Sequence, residues 1–173
     1  GLDGLAQRAA NTVARGLSAL KFDPFPGPWD MLVGLDVERT AVARVEAVRD
    51  AVGPDVDILI EVHRRLAPMH AIRVAHAIEP LRPFWYEEPT PAENLDATLL
   101  VRNKINIPVV VGEALYTKAE FRTALEKGVA DIINPDICNV GGLLELKEIT
   151  AMAEAYGVAL APHGNNSTTV GLA

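Results

Sequence analysis

Three glutamates recur at equal intervals along the chain, and each follows a run of mostly apolar residues. Glu61, Glu87 and Glu113 lie 26 residues apart. If the three runs are neighbouring strands of one sheet, the carboxylates meet at one edge and repel one another unless a cation binds among them. Ligands that are all oxygen suit Mg²⁺ or Mn²⁺ better than Zn²⁺. The spacing predicts a divalent metal site, although solvated acidic residues that merely end strands would give the same pattern.

Other ionisable side chains follow the remaining apolar runs, where they could act as acids or bases. His163 and Asp136 end two successive predicted strands, so an imidazole and an orienting carboxylate are expected side by side. A histidine in that position could also be structural. His63 stands two residues after Glu61 and, if that strand continues, shares its face. Lys21 ends the first predicted strand, either as a contact for an acidic substrate or as an ion-pair partner.

Three residues close to these groups, Arg64, Arg65 and Trp29, have roles that the sequence does not decide. Arg64 and Arg65 either bind an acidic substrate or pair with Glu87 or Glu88. Trp29, in the proline-rich loop after the first predicted strand, is a candidate wall of the site.

Four further side chains are expected to have no chemical role. His70 and His76 lie six positions apart on a predicted helix, off each other's face, and are expected at the surface. Trp85 is expected to pack against its neighbours. Cys138 is the single cysteine, so it forms no internal disulfide, and it is expected to be a small packed or loop residue.

Hydrophobic periodicity predicts six strands that alternate with helices. The predicted strands are 17–23, 57–62, 83–87, 108–113, 130–134 and 158–161. The predicted helices are 2–16, 38–52, 69–80, 93–103, 118–127 and 142–156. Such alternation indicates parallel strands joined by right-handed crossovers.

Units of about 25 residues suit either a doubly wound sheet or a (β/α)₈ barrel. No glycine-rich phosphate-binding fingerprint opens a helix, and Gly141-Gly142 alone is weak evidence for one. Charged groups follow every predicted strand, whereas an open sheet would concentrate them at one switch point. A barrel lets all strand ends converge on one site. The chain is therefore predicted to be α/β, a TIM-like (β/α)₈-type barrel that is incomplete, with about six units in one domain, 1–173.

Composition narrows the possible partners. The formal net charge is −7 with no basic cluster, so nucleic acid is not expected as a partner. The longest apolar runs are far shorter than a membrane span, so no membrane association is expected. The acidic chain without a disulfide framework is expected in the cytoplasm.

Six short motifs, in order along nearly the whole chain, resemble the barrel domain of the enolase superfamily. The similarity is to its mandelate racemase/muconate lactonizing enzyme family and, within it, to galactonate dehydratase-like acid-sugar dehydratases. The matching motifs are Lys21, Glu61-Val62-His63, Glu87-Glu88-Pro89, Gly112-Glu113, Pro135-Asp136 and Pro162-His163.

The resemblance implies a role for each strand-end group. Glu61, Glu87 and Glu113 would hold one Mg²⁺, with Mn²⁺ as an alternative, and the ion would bind the substrate carboxylate and stabilise an enediolate. His163 would be the general base and Asp136 would orient it.

The same resemblance implies roles around the substrate. His63 would protonate the departing β-hydroxyl, and Lys21 would contact the substrate carboxylate. Glu88 would orient the metal ligands or Lys21. The implied enzyme is a hydro-lyase that converts a small-molecule sugar acid into a 2-keto-3-deoxy acid, working as a homo-oligomer. The capping domain of the family is not expected within this sequence.

Two departures from the family pattern bear on the reaction. Glu61 stands where the family usually has aspartate, which moves the carboxylate outward by one methylene. Asp23 stands where racemases of the subgroup place a second lysine base, so dehydration is favoured over two-base racemisation.

The stretch 61–94 is also similar to mannonate dehydratases, which lack the Asp136–His163 pair. The alternatives are an epimerase or racemase that uses the same enediolate, and a non-catalytic barrel that binds a structural cation.

Overall fold

The computed structural model describes residues 1–27 and 30–164, and Trp29 lies outside them. The helices are α1 (Leu2–Ala14), α2 (Leu35–Val52), α3 (Pro68–Ile78), α4 (Leu95–Arg102), α5 (Lys118–Lys127) and α6 (Leu143–Ala155), with a 3₁₀ turn at Glu79–Leu81 after α3. The strands are β1 (Ala19–Phe22), β2 (Asp57–Glu61), β3 (Trp85–Glu87), β4 (Val109–Val111), β5 (Ile132–Ile133) and β6 (Ala159–Leu160).

The order of the strands in the sheet distinguishes the predicted barrel from a doubly wound sheet. The six strands are all parallel and follow one another in chain order from β1 to β6. A doubly wound sheet would reverse its direction of growth at a switch point, whereas a barrel adds each strand beside the previous one. The predicted TIM-like (β/α) architecture with six strands is therefore confirmed.

Side chains of β2 alternate between the two faces of the sheet. Ile58 and Ile60 are fully buried and belong to the same apolar core as Val45 and Val48 of α2. Leu59, one residue out of phase, lines a cavity on the other face. This alternation follows from the period of two in a strand. It turns every second side chain toward the helices and the others toward the cavity.

The strands are shorter than predicted, and after β2 and β3 the chain turns away directly behind the carboxylate that ends each strand. β2 ends at Glu61, and both His63 and Arg64 adopt left-handed backbone conformations, with φ of 56° and 63°. Glu88 does the same after β3, with φ of 46°. The prediction that β2 continues to residue 62 was therefore wrong. His63 is placed by a turn and not by strand alternation.

His70 is buried, so the prediction that it lies at the surface was wrong. It is 1% exposed because it lies on the same stripe of α3 as Val74 and Ile78. Its Nδ1 atom is 2.5 Å from Oε1 of Glu38, and its Nε2 atom accepts a hydrogen bond of 3.3 Å from the backbone N–H of Val33. Both ring nitrogens are thus satisfied inside the protein.

The other expectations about surface residues agree with the structure. His76 is exposed, and Cys138 is exposed in the loop after β5. Among the helices described here, none has the length and apolar character needed to cross a membrane.

Candidate active site

A cavity of about 610 Å³ opens at the carboxyl ends of the strands. The carboxyl-terminal mouth is where α/β barrels place their active sites. The cavity is lined by Lys21, Phe22, Leu59, Glu61, His63, Trp85, Glu87, Asn134, Ala161, Pro162, His163 and Gly164.

The three glutamates predicted from their spacing come together beside this cavity. Glu61 and Glu87 are register partners at the ends of β2 and β3, and Glu113 follows β4 by two residues. One carboxylate oxygen from each lies within 4.8 Å of the others. Their side chains are only 4%, 1% and 10% exposed, in that order. We refer to these three residues as the carboxylate cluster.

The carboxylate cluster carries more negative charge than its surroundings readily tolerate. Burial, followed by the negative charge of Glu87, raises the pKa of Glu61 to about 8. Burial likewise raises the pKa of Glu88, next to the cluster, to about 7. Buried carboxyl groups shift in this direction when no full compensation is available. A cation is therefore the natural partner for these oxygens.

Two basic side chains reach the carboxylate cluster. The ammonium group of Lys21 lies 2.8 Å from Oε1 of Glu87 and 3.3 Å from Oε2 of Glu61. Burial disfavours its charge, but the hydrogen bonds and charges of the two glutamates outweigh this and raise the pKa of Lys21. Arg64 forms an ion pair with Glu113. Lys21 is thus an ion-pair partner in the structure, and its contact with an acidic substrate stays a prediction.

The donor set of the carboxylate cluster fits a hard divalent cation. All three ligands are carboxylates, they converge within the span of one ion, and their mutual repulsion would be relieved by a double positive charge. Mg²⁺ and Mn²⁺ bind such oxygen ligands.

His163 and Asp136 form the pair expected from the sequence. Nδ1 of His163 is 2.7 Å from Oδ2 of Asp136, and the two residues also pair as an isolated parallel bridge beyond β5 and β6. Asp136 is fully buried, and its Oδ1 accepts a hydrogen bond of 2.8 Å from the backbone N–H of Cys138. On its other side, Nε2 of His163 lies 3.0 Å from Oε2 of Glu113.

His63 is the second histidine of the cavity, and it also has a carboxylate beside it. Its Nδ1 atom lies 3.1 Å from Oδ2 of Asp23. Oδ1 of Asp23 accepts a 2.8 Å hydrogen bond from the backbone N–H of Phe25, and Arg65 donates to Oδ2. The backbone N–H of His63 donates to Oε1 of Glu61 at 2.8 Å. The left-handed turn therefore places His63 between Asp23 and the carboxylate cluster.

Sequence reasoning missed two residues of this site, Asn134 and Trp85. The side-chain NH₂ of Asn134 donates to Oε1 of Glu87 at 2.8 Å, and its carbonyl oxygen accepts from the backbone N–H of Glu113 at 3.1 Å. The indole N–H of Trp85 donates to Oε2 of Glu87 at 3.0 Å, so the expectation that it only packs was wrong. Trp85 precedes Glu87 by two residues, a spacing that puts both on one face of a strand.

Glu88 lies behind the carboxylate cluster. It is 1% exposed, and its Oε1 accepts a 2.8 Å hydrogen bond from the backbone N–H of Gly112. It thereby anchors the segment that carries Glu113.

Arg64 and Arg65 were expected to bind an acidic substrate or to pair with Glu87 or Glu88, but in the structure Arg64 pairs with Glu113 and Arg65 pairs with Asp23. The backbone N–H of Arg64 also donates to the carbonyl oxygen of Glu88 at 2.7 Å.

Two curated proteins resemble this chain in sequence. The chain is 40% identical over 158 residues to a D-gluconate dehydratase from Thermoproteus tenax, a match that covers 91% of this chain and 32% of the relative. It is 35% identical to a D-gluconate/D-galactonate dehydratase from Picrophilus torridus, over 93% of this chain and 41% of the relative. The chain thus spans well under half the length of these curated relatives.

The fold also matches that of a solved structure. A mandelate racemase/muconate lactonizing enzyme-like protein from Roseovarius sp. TM1035 superimposes with a TM-score of 0.89 at 41% identity, over 94% of this chain and 42% of that protein. The family described as Enolase C-terminal domain-like matches residues 4–173. This chain therefore belongs to the enolase superfamily, in its mandelate racemase/muconate lactonizing enzyme family, as the sequence motifs predicted.

Proposed function

We propose that the protein is a Mg²⁺-dependent hydro-lyase that dehydrates a sugar acid to a 2-keto-3-deoxy acid. The observation that carries the proposal is the pair of histidines around one cavity, each with its own carboxylate. His163 with Asp136 lies on the β6 side, and His63 with Asp23 lies on the β2 side. β-Elimination of water needs one group to accept the α-proton and another to protonate the leaving hydroxyl.

The metal centre of the proposal is the carboxylate cluster. Glu61, Glu87 and Glu113 would hold one Mg²⁺, for which their burial and all-oxygen chemistry are suited. When bound there, the ion supplies positive charge for the substrate carboxylate and for the enediolate that forms as the α-proton leaves.

His163 accepts the α-proton at Nε2 in this mechanism. Its Nδ1 is engaged by Asp136, which keeps the proton on that nitrogen and stabilises the imidazolium that forms. Asp136 can do this because its other oxygen is held by the backbone N–H of Cys138. Asp136 therefore orients the base, and the α-proton would replace the 3.0 Å contact that Nε2 makes with Oε2 of Glu113.

His63 donates the proton that leaves with the β-hydroxyl as water. Its Nδ1 lies 3.1 Å from Oδ2 of Asp23, and Nε2 is the ring nitrogen that would donate to the substrate. The enol product then releases its hydroxyl proton to water, takes up a proton at carbon 3 and so becomes the 2-keto-3-deoxy acid. Lys21, at the edge of the cavity, would contact the substrate carboxylate.

The substrate class is proposed from the cavity and from the relatives. A cavity lined by Lys21 and by residues that would hold a divalent ion suits a carboxylate, and the two histidines suit hydroxylated carbons next to it. The two named relatives are dehydratases of D-gluconate and D-galactonate. The homo-oligomeric state and the cytoplasmic location stay predictions from the sequence.

The test is a screen of the full-length protein with Mg²⁺ against mono- and diacid sugars, with 2-keto acid detected as its semicarbazone. We expect a signal that is lost in Glu87→Ala and in His163→Ala and kept in His76→Ala, an exposed histidine that serves as the matched control. His163→Ala should also lose exchange of the α-proton with solvent deuterium. Undiminished exchange in that variant would overturn the assignment of the base.

A second candidate function is epimerisation at the α-carbon. It is favoured by the presence of two histidines in one cavity, since inversion needs an acid and a base on two sides of the carbon. This function predicts a product of inverted α-configuration, α-proton exchange visible by NMR, and no 2-keto acid from any substrate in the screen.

A further inference from the structure

We propose that Asn134 is a positioning residue that sets the affinity of the carboxylate cluster for its divalent ion. The inference rests on the metal centre of the proposed function. It goes beyond that function by assigning a role to a residue that the proposed mechanism does not use.

Asn134 joins two members of the carboxylate cluster that come from different strands. It follows β5 directly, and its side chain spans from Glu87 at the end of β3 to Glu113 after β4. Its NH₂ group donates to Oε1 of Glu87 at 2.8 Å, and its carbonyl oxygen accepts from the backbone N–H of Glu113 at 3.1 Å. A carboxamide is suited to this task because it offers a donor and an acceptor on one rigid group.

The amide orients Glu87 without neutralising it. Asn134 holds Oε1 and Trp85 holds Oε2, so both oxygens of the carboxylate are directed by neutral donors. Lys21, in contrast, brings a positive charge that competes with a cation for the same oxygen. Only the neutral donors fix the direction of the carboxylate while leaving its charge for the ion.

The position of Asn134 is itself rigid. Asn134 is 2% exposed, and its backbone N–H donates to the carbonyl oxygen of Val111 at 3.0 Å. The backbones of β4 and β5 approach so closely at Gly112 that a Cβ atom there would lie 3.0 Å from the backbone nitrogen of Asn134. The backbone that carries the Asn134 side chain is therefore held in place. A side chain that preorganises metal ligands needs such a fixed backbone.

The test measures binding of Mg²⁺ alone to the full-length protein, by calorimetry and by the rise of the unfolding temperature with Mg²⁺ concentration. Asn134→Leu removes both hydrogen bonds. Asn134→Ser removes the amide that bridges Glu87 and Glu113 and introduces no bulk, should the first variant fail to fold. Asn106→Ser is the matched control, because Asn106 makes the same kind of bond, to Glu79 at 2.7 Å, at an exposed site. We expect Kd for Mg²⁺ to rise about 10- to 100-fold in the Asn134 variants and to stay unchanged in Asn106→Ser.

A folded Asn134→Ser protein with wild-type Kd would overturn this inference and leave the proposed function standing. Failure of the wild-type protein to bind Mg²⁺ would overturn both. A positioning role also predicts that raised Mg²⁺ restores turnover in Asn134→Ser but not in His163→Ala, and failure of that rescue would count against it.

Discussion

Nε2 of His163 lies 3.0 Å from Oε2 of Glu113, so the proposed base touches a member of the carboxylate cluster. Its other ring nitrogen is 2.7 Å from Asp136. The imidazole is thus held between two carboxylates that come from the ends of β4 and β5. A substrate carboxylate bound at the cluster would bring its α-carbon close to this nitrogen, which is where the α-proton must leave.

Replacement of Asp136 by asparagine should disable the base while keeping the fold. The amide oxygen of the new side chain would still accept the Cys138 N–H, but the neutral amide would no longer stabilise the imidazolium of His163. We expect α-proton exchange to fall by about 10²- to 10⁴-fold, measured by deuterium incorporation in NMR. Asp96→Asn, on the exposed side of α4, should exchange at the wild-type rate. Equal rates in Asp136→Asn and wild type would contradict the role of the pair.

Replacement of Asp23 by asparagine should separate the two halves of the reaction. Asp23 orients His63, whereas His163 has its own partner, so formation of keto acid should fall at least about tenfold while α-proton exchange persists. The two rates are measured on the same sample, by semicarbazone absorbance and by NMR. An equal loss of keto-acid formation and of α-proton exchange would argue against His63 acting as an acid separately from the base His163.

Without metal, the protein should lose stability as the pH rises from about 4.5 to about 8. The pKa of Glu61 is raised to about 8 and that of Glu88 to about 7, so in this window the native state holds protons that the unfolded chain has released. Stability is therefore highest at the acidic end of the window. Glu61→Gln should remove part of this slope and stabilise the chelated protein at pH 8 by about 1–3 kcal/mol.

The measurement is urea denaturation at several pH values with EDTA present. Mg²⁺ should restore stability at pH 8 in the wild type and not in Glu61→Gln, because the ion needs the ionised ligand. A flat profile for the chelated wild type would contradict the prediction.

Gly112→Ala should destabilise the protein by about 1–3 kcal/mol and weaken Mg²⁺ binding as well. Gly112 has φ of 142°, and a Cβ there would lie 3.0 Å from both the backbone nitrogen of Asn134 and the ring of Phe121. Gly16→Ala is the control, since Gly16 also has positive φ, 91°, but nothing within 4 Å of the added atom. Thermal unfolding of the two variants isolates the steric cost of the added Cβ atom at Gly112. An equal fall in unfolding temperature in both variants would show that the close approach of Gly112 to Asn134 and Phe121 is unimportant.

Glu38→Gln should destabilise the protein at pH 7 by about 1–3 kcal/mol. Burial disfavours the charge of Glu38, but hydrogen bonds from Arg73 and His70 outweigh it and lower the pKa of Glu38. The ionised Glu38 therefore stabilises the folded protein fully above about pH 4.5, the ordinary pKa of a glutamate. This stabilisation is lost as the pH falls through the lowered pKa of Glu38 in the folded protein. Urea denaturation at pH 7 and pH 4 tests this, with the exposed Glu46→Gln on the same helix as control. A variant as stable as wild type at pH 7 would contradict it.

Much of the fold was predictable because local patterns determine local structure. Helix α5 was predicted with both ends correct, since Thr117 and Glu120 form a capping box at its start and Gly128 ends it in a left-handed conformation. The carboxylate cluster was predictable for a related reason, since parallel strands that end in carboxylates must bring those groups to one edge.

The sequence by itself determined which residue types end each strand, and with them the carboxylate cluster, the His163–Asp136 pair and the family. Only the tertiary structure decided that the strands follow chain order in the sheet, that a turn places His63 beside Asp23, and that Asn134 joins Glu87 to Glu113. The physical reason is that periodicity reports which face a residue occupies within its own element. Contacts between residues tens of positions apart depend on register and on turns, which periodicity does not encode.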